Sequence, residues 1–293
     1  MHGQMSQHKA SRSCVIINAD DFGITEGVNK AIFELADAGM LTSTSVMSNM
    51  PVYKSIKQLK DKIGIGVHFN LTVGRPITDP NKIPALLDNN GIFFGLPQLL
   101  KKTRRREISK KEVEIEFNAQ VRHLLDIGIT PDHIDSHESL LKYPFFIEIM
   151  KRVARKYRIS AVRTYIQRKF DYSRLLSPRK TLISFYLAFQ KMKWESDGFY
   201  TADKYDSLIK FGLDYEAALR KLQDIFHNLP HGIIEIGVHP GYLDANNLLL
   251  GEYISEREVE LQALSSDYFR QLLKNSEAKL ISFKDICNNS IYR

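Results

Sequence analysis

Val15-Ile16-Ile17-Asn18-Ala19-Asp20-Asp21-Phe22-Gly23 decides how the chain is read: a short apolar run that ends on two adjacent carboxylates and a glycine. Such a run reads as a buried strand, and its acidic end lies where α/β scaffolds carry chemistry, at the strand C-terminus. The pattern recurs three times. Residues 63–71 carry Gly66-Val67-His68-Phe69-Asn70, and residues 131–136 run through Asp132-His133-Ile134-Asp135-Ser136 to His137. Residues 233–238 lead into His239-Pro240-Gly241-Tyr242.

Between these runs the pattern is helical. A helix is expected over 25–38 with Gly39 as its stop, and another behind a Ser109/Glu112 capping box, ending near Gly128. Further helices are expected over 144–156, over 214–226 with Asp214 as cap, and over 255–274 behind a second box of Ser255 and Glu258. Residues 42–47, 161–165 and 279–283 complete the strands. This βαβα order argues for a parallel sheet with helices outside. Residues from the first, third, fourth and a late strand must converge, so the expected fold is an irregular (β/α) barrel, TIM-like, with fewer than eight regular strands, rather than an open sheet. It is read as a single domain over 14–293 with a helical insertion at about 166–213. In that insertion Phe185, Tyr186, Phe189, Trp194, Phe199 and Tyr200 read as core aromatics of a helical pair, or as a lid that stacks on a sugar ring. Residues 1–13 are polar and read as a disordered tail.

Composition narrows the class. Hydrophobic residues make up 43% of the 293 and aromatics 10%, enough for a sizeable core. No stretch approaches the roughly 18–20 apolar residues of a membrane span. The two cysteines, Cys14 and Cys287, form neither a disulfide framework nor a metal spacing, which fits a cytoplasmic protein. The formal charge of +7 gathers at Lys101, Lys102, Arg104, Arg105, Arg106, Lys110 and Lys111. This cluster reads as a solvated face, or as a peripheral contact for a membrane or another anionic partner. It lacks the interleaved aromatics that stack bases, so no nucleic acid is expected. A homodimer is compatible with the chain.

Asp21, His68 and His137 supply one carboxylate and two imidazoles, a set that binds a divalent ion and leaves positions for water and substrate. A lone histidine at a strand end is more often a satisfied structural residue; joint occurrence with the Asp20-Asp21 pair changes that balance. Adjacent carboxylates at a strand end can divide labour, one on the metal and one as base, where otherwise they would simply cap the next helix. His239 precedes Pro240, which holds it in extended backbone. That suits a general acid delivering a proton at one place.

Asn-Ala-Asp-Asp-Phe-Gly at 18–23, Gly-Val-His-Phe-Asn-Leu-Thr at 66–72 followed by Gly74 and Pro76, Asp-His-Ile-Asp-Ser-His at 132–137 and Val-His-Pro-Gly-Tyr-Leu-Asp at 238–244 together resemble the YdjC-like carbohydrate deacetylases, in that family's order over about 14–287. The resemblance implies an irregular (β/α) barrel that removes N-acetyl groups from amino sugars with a divalent metal. Carried over, Asp21, His68 and His137 match the metal ligands, Asp20 the general base and His239 the general acid. The family suggests Mg²⁺, whereas two imidazoles and a carboxylate suit Zn²⁺ or another transition ion. The substrate implied is an N-acetylated sugar or glycoconjugate. One departure stands out: where the family continues His-x-His-x-His, this chain has His137-Glu138-Ser139-Leu140-Leu141. No implied ligand is lost, but the pocket floor differs. A non-catalytic glycan-binding relative and a metal-dependent phosphoesterase are the competing readings.

Overall fold

The computed structural model describes residues 13–51, 53–168, 177–251 and 253–288. Its frame is a parallel sheet around β1 (Ser13–Phe22), in which every residue after Ser13 is buried. Burial on both faces explains the continuous apolar stretch from Cys14 to Ile17. On one side β1 pairs with β7 (Gly232–Val238) from Ser13↔Gly232 to Ala19↔Val238. On the other it pairs with β2 (Ser43–Val46), which continues to β3 (Gly64–Phe69), β4 (His133–Ser136) and β5 (Ala161–Val162). β6 (Lys204–Ser207) flanks β7. The path β5-β4-β3-β2-β1-β7-β6 curls round, and its two ends meet through isolated parallel bridges at Ala161↔Tyr200 and Gln167↔Tyr205. β8 (Lys279–Leu280) joins β1 only at Cys14 and Val15, below the start of β2. The result is the irregular barrel that the converging motifs require.

Helices cover the outside. α1 (Glu26–Asp37) buries Val28, Ala31, Ile32 and Leu35 at helical spacing, and Thr25 Oγ1 caps it by accepting from Val28 N. α3 (Lys110–Asp126) and α4 (Pro144–Lys156) follow β3 and β4, with α2 (Leu96–Arg104) in the long β3–α3 connection. α5 (Pro178–Ser196), α6 (Tyr215–His227), α7 (Ser255–Ser265), α8 (Asp267–Asn275) and the short α9 (Phe283–Cys287) complete the set.

Strand alternation divides the interior into layers. Cys14, Ile16, Ala161, Ala202 and Ile233, with Ile281, Phe283 and Ile286, form an apolar plug at the N-terminal end. Above it Asn18, Ser43, Ser45, His133, Asp135, Arg163 and Glu235 are all buried and polar. Gly66 makes that layer fit: a Cβ there would lie 2.4 Å from His133 Nε2.

Several boundaries differ from expectation. The helical insertion is narrower than 166–213: among the described residues it is α5, while Gln167 and β6 belong to the barrel rim. Residues 169–176 of it lie outside the described residues, as do 1–12 of the expected tail, and Ser13 opens β1. The helix expected over 255–274 is two helices. Ser266 breaks it by accepting from Phe269 N at 3.1 Å and capping α8. Neither expected capping box closes. Ser109 caps α3, but Glu112 Oε2 accepts from Ala85 N instead; Ser255 lies inside α7, and Glu258 accepts from Leu243 N. The last strand is shorter than 279–283 because Phe283 starts α9. No helix among the described residues is long and apolar enough to cross a membrane.

Candidate active site

The C-terminal end of β1 delivers the acidic pair. Its register with β2 slips between Ala19 and Phe22, and Asp21 takes a left-handed φ of 66°. The irregularity turns adjacent carboxylates toward one site instead of opposite faces. A left-handed aspartate costs backbone energy, and such strain collects at functional positions.

Asp21 Oδ1 lies 3.2 Å from His68 Nε2 and 2.8 Å from His137 Nδ1. Asp21, His68 and His137 can each offer an atom within 4.8 Å of the others, so the three expected ligands meet. Asp21 Oδ2 accepts from Arg257 Nη2 at 2.6 Å. Burial works against the charge on Asp21, but His137 and Arg257 outweigh it and hold the carboxyl well below its usual range.

The donor set suits a divalent ion, and His68 is oriented for one. Its Nδ1 lies 2.6 Å from Asp135 Oδ1, which leaves Nε2 aimed at Asp21. A carboxylate behind a ligating imidazole fixes its tautomer and raises its basicity. Without a cation, burial opposes protonation of His68, yet Asp135 prevails and raises it to about 10. Asp20, His68 and Asp135 form a second group within reach of one another. A cation there would face the Arg163 guanidinium, which already pairs with both Asp20 and Asp135. The set around Asp21 is therefore the better fit.

Asp135 is also one link in a buried file. Ser45 Oγ donates to Asp135 Oδ2 at 2.7 Å and lies 3.1 Å from His133 Nε2. His133 Nδ1 in turn meets Asp132 Oδ1 at 2.6 Å, and the ring stacks on Phe283 at 4.0 Å. The file crosses the barrel from its apolar plug to His68.

Asp20 and His239 stand beside Asp21, His68 and His137. Arg163 grips Asp20 with two hydrogen bonds of 2.6 and 2.7 Å, and Asn18 Nδ2 donates to Oδ1 at 2.8 Å. Arg163 also donates from Nε to Glu235 at 2.6 Å. One buried cation thus serves Asp20, Asp135 and Glu235. Burial raises Glu235 to about 7 against the pull of Arg163. His239 Nε2 lies 3.5 Å from Asp20 Oδ2. Burial pushes this ring down to about 4, although Asp20 and Asp21 oppose the shift, so it is neutral near pH 7. The backbone N–H of His239 donates to Glu260 on α7, whose carboxyl burial raises to about 8.

The segment after His137 is unusual. Glu138 and Ser139 both have left-handed φ, 49° and 56°, and Ser136 Oγ accepts from Leu141 N at 2.9 Å to close the loop. Leu141 is 4% exposed and packs in the core.

Reasoning from sequence brought out the five central residues but not their supports. Arg163 and Glu235 carried a signal, a single charge within or next to a strand run. Arg257 and Glu260 carried none, since charges on a helix read as a solvated face.

Comparison with known proteins bears directly on this geometry. The profile of the YdjC-like protein family matches residues 14–275. The chain belongs to that family. Curated relatives include a carbohydrate deacetylase of Thermoanaerobacter pseudethanolicus, 29% identical over 273 residues, covering 92% of this chain and 97% of that protein. The carbohydrate deacetylase of Geobacillus stearothermophilus is 30% identical over 275 residues, covering 92% and 96%. Among solved structures, a protein of Enterococcus faecalis V583 described as a cellobiose-phosphate cleavage protein superposes with a TM-score of 0.75 at 25% identity, covering 94% of this chain and 99% of its own. Membership of this YdjC-like family, whose named relatives are deacetylases over nearly their whole length, makes the chain an enzyme.

Proposed function

We propose that this YdjC-like enzyme is a metal-dependent carbohydrate deacetylase that hydrolyses an N-acetyl group on an amino sugar to acetate and a free amine. The observation that supports it most is the meeting of Asp21, His68 and His137 with Asp20 and His239 alongside. Asp21, His68 and His137 would hold a divalent ion, Zn²⁺ or Mg²⁺, which when bound would supply Lewis acidity for the acetyl carbonyl and the attacking water. Asp135, bonded to His68 Nδ1, leaves Nε2 as the nitrogen that would ligate the ion. Asp20, fixed by Arg163, accepts the proton of the attacking water. His239 is neutral at rest, so its acid form arises during turnover. Asp20 Oδ2, 3.5 Å from Nε2, is the nearest source. The ring then protonates the departing amine, a very poor leaving group as an anion.

The test is acetate release from N-acetylglucosamine oligomers by purified protein, with and without chelator and with Zn²⁺ or Mg²⁺ restored. Metal-dependent acetate is the expected result. Sugar binding without acetate would mark a glycan-binding relative, and hydrolysis of a phosphate ester alone would mark a phosphoesterase; either outcome overturns the proposal.

A further inference from the structure

The loop after His137 ends on a cation that the mechanism does not use. Glu138 and Ser139 fold the loop back, and the buried Leu140 and Leu141 pin it in the core. Lys142 follows at once, and Tyr143 N donates to Leu140 O at 3.0 Å to fix the turn before α4. The Lys142 side chain is open to solvent, and its Nζ stands 4.4 Å over the ring of Tyr165. That ring is buried and meets Tyr205 edge-on at 5.3 Å, while the Arg163 guanidinium lies 5.5 Å from Tyr205. Burial raises the Tyr165 hydroxyl, and Asp135 and Asp20 add to the rise against Arg163, so the phenol faces the group around Asp20. One ring therefore separates the Lys142 ammonium from the Asp20–Arg163 pair.

The other cations of this region are taken. Arg163 serves Asp20, Asp135 and Glu235, and Arg257 serves Asp21. Lys142 has no carboxylate within ion-pair distance among the described residues. The ammonium leans into the barrel mouth, where crowding and the Arg163 cation both lower its pKa. Two like charges with no anion between them on the open side are a place for one to bind. We propose that Lys142 is a substrate-binding residue that recognises a carboxylate on the sugar, so that the preferred substrate is an N-acetylated amino sugar bearing a carboxylic acid. This rests on the deacetylase reading and names its substrate class. A single ammonium is a point charge that matches one negative charge. A phosphate brings about 1.5 to 2 charges near pH 7, and Asp20 and Asp135 repel the surplus.

The test is calorimetric titration of the zinc-loaded chain with N-acetylmuramic acid, N-acetylglucosaminuronic acid, N-acetylglucosamine and N-acetylglucosamine 6-phosphate, with acetate release followed in parallel. At least one carboxylate sugar should bind about 10-fold more tightly than the neutral sugar, and added salt should shrink that ratio. Lys142→Met should bring the ratio to near one with an unchanged melting curve, and Lys142→Arg should keep most of it. Equal binding of neutral and carboxylate sugars overturns the proposal, as does a ratio that survives Lys142→Met or a phosphate sugar that binds best. Absence of acetate from every sugar sinks the deacetylase reading instead, and the binding ratio still decides the role of Lys142.

Discussion

Asp135→Asn is the most informative single change. It conserves volume and removes only the charge behind His68. In the native site Asp135 Oδ1 holds His68 Nδ1 at 2.6 Å, while Oδ2 takes the Ser45 hydroxyl at 2.7 Å and pairs with Arg163 at 2.9 Å. An asparagine can turn its carbonyl to His68, but its amide then opposes the Arg163 guanidinium, donor against donor. The opposite rotamer opposes His68 instead. Either way the ring loses its charged acceptor and some orientation. Removal of such a partner weakens metal affinity by about 10- to 100-fold, or about 1.4–2.7 kcal/mol. The fold should survive, because Arg163 keeps Asp20 and Glu235. Calorimetric titration of Zn²⁺ into metal-stripped wild type and variant, at one pH and with melting curves in parallel, measures the difference. In a His68→Ala background Asp135→Asn should add no further loss. An affinity within twofold of wild type would refute the reasoning.

Three further outcomes are expected. His239→Ala should keep metal affinity but lose about 10²- to 10⁴-fold in turnover, whereas His68→Ala should lose metal as well; equal metal loss in both refutes this division of roles. Glu235 and Glu260 titrate near 7 and 8 in the native state against an ordinary 4.5, so the native state holds protons that the unfolded chain has released. Their contribution therefore makes stability fall as pH rises from about 4.5 to about 8, and urea midpoints across that range should show a shallower fall in Glu260→Gln. Gly66→Ala places a Cβ 2.4 Å from His133 Nε2; the overpacking should cost about 1–3 kcal/mol in urea denaturation, and an unchanged midpoint would show that His133 has room to move.

The barrel and the site's centre were legible because both rest on local signals. An apolar run leading into Asp or His is visible in β1, β3 and β7, and the Asp132-His133-Ile134-Asp135-Ser136-His137 motif marks β4, without any knowledge of their neighbours. β6 was not, since Lys204-Tyr205-Asp206-Ser207 has no apolar run, and its place depends on pairing with β7 and on the bridge from Tyr205 to Gln167. The α7–α8 break was hidden because Ser266 interrupts a periodicity that otherwise continues. Arg257 illustrates the harder limit. It reaches Asp21 from 236 residues away, and nothing in its own segment distinguishes a buried guanidinium from a solvated one. The same holds for the file from Asp132 to His68: its residue types lie in the motifs, but its continuity arises only when β2, β3 and β4 lie side by side.

Anomalous diffraction from crystals soaked in Zn²⁺ tests the central claim most directly. The account predicts one peak per chain at roughly 2.0–2.2 Å from a carboxylate oxygen of Asp21 and one ring nitrogen each of His68 and His137. A peak elsewhere in the barrel, or none at saturating metal with these three side chains in place, would contradict it.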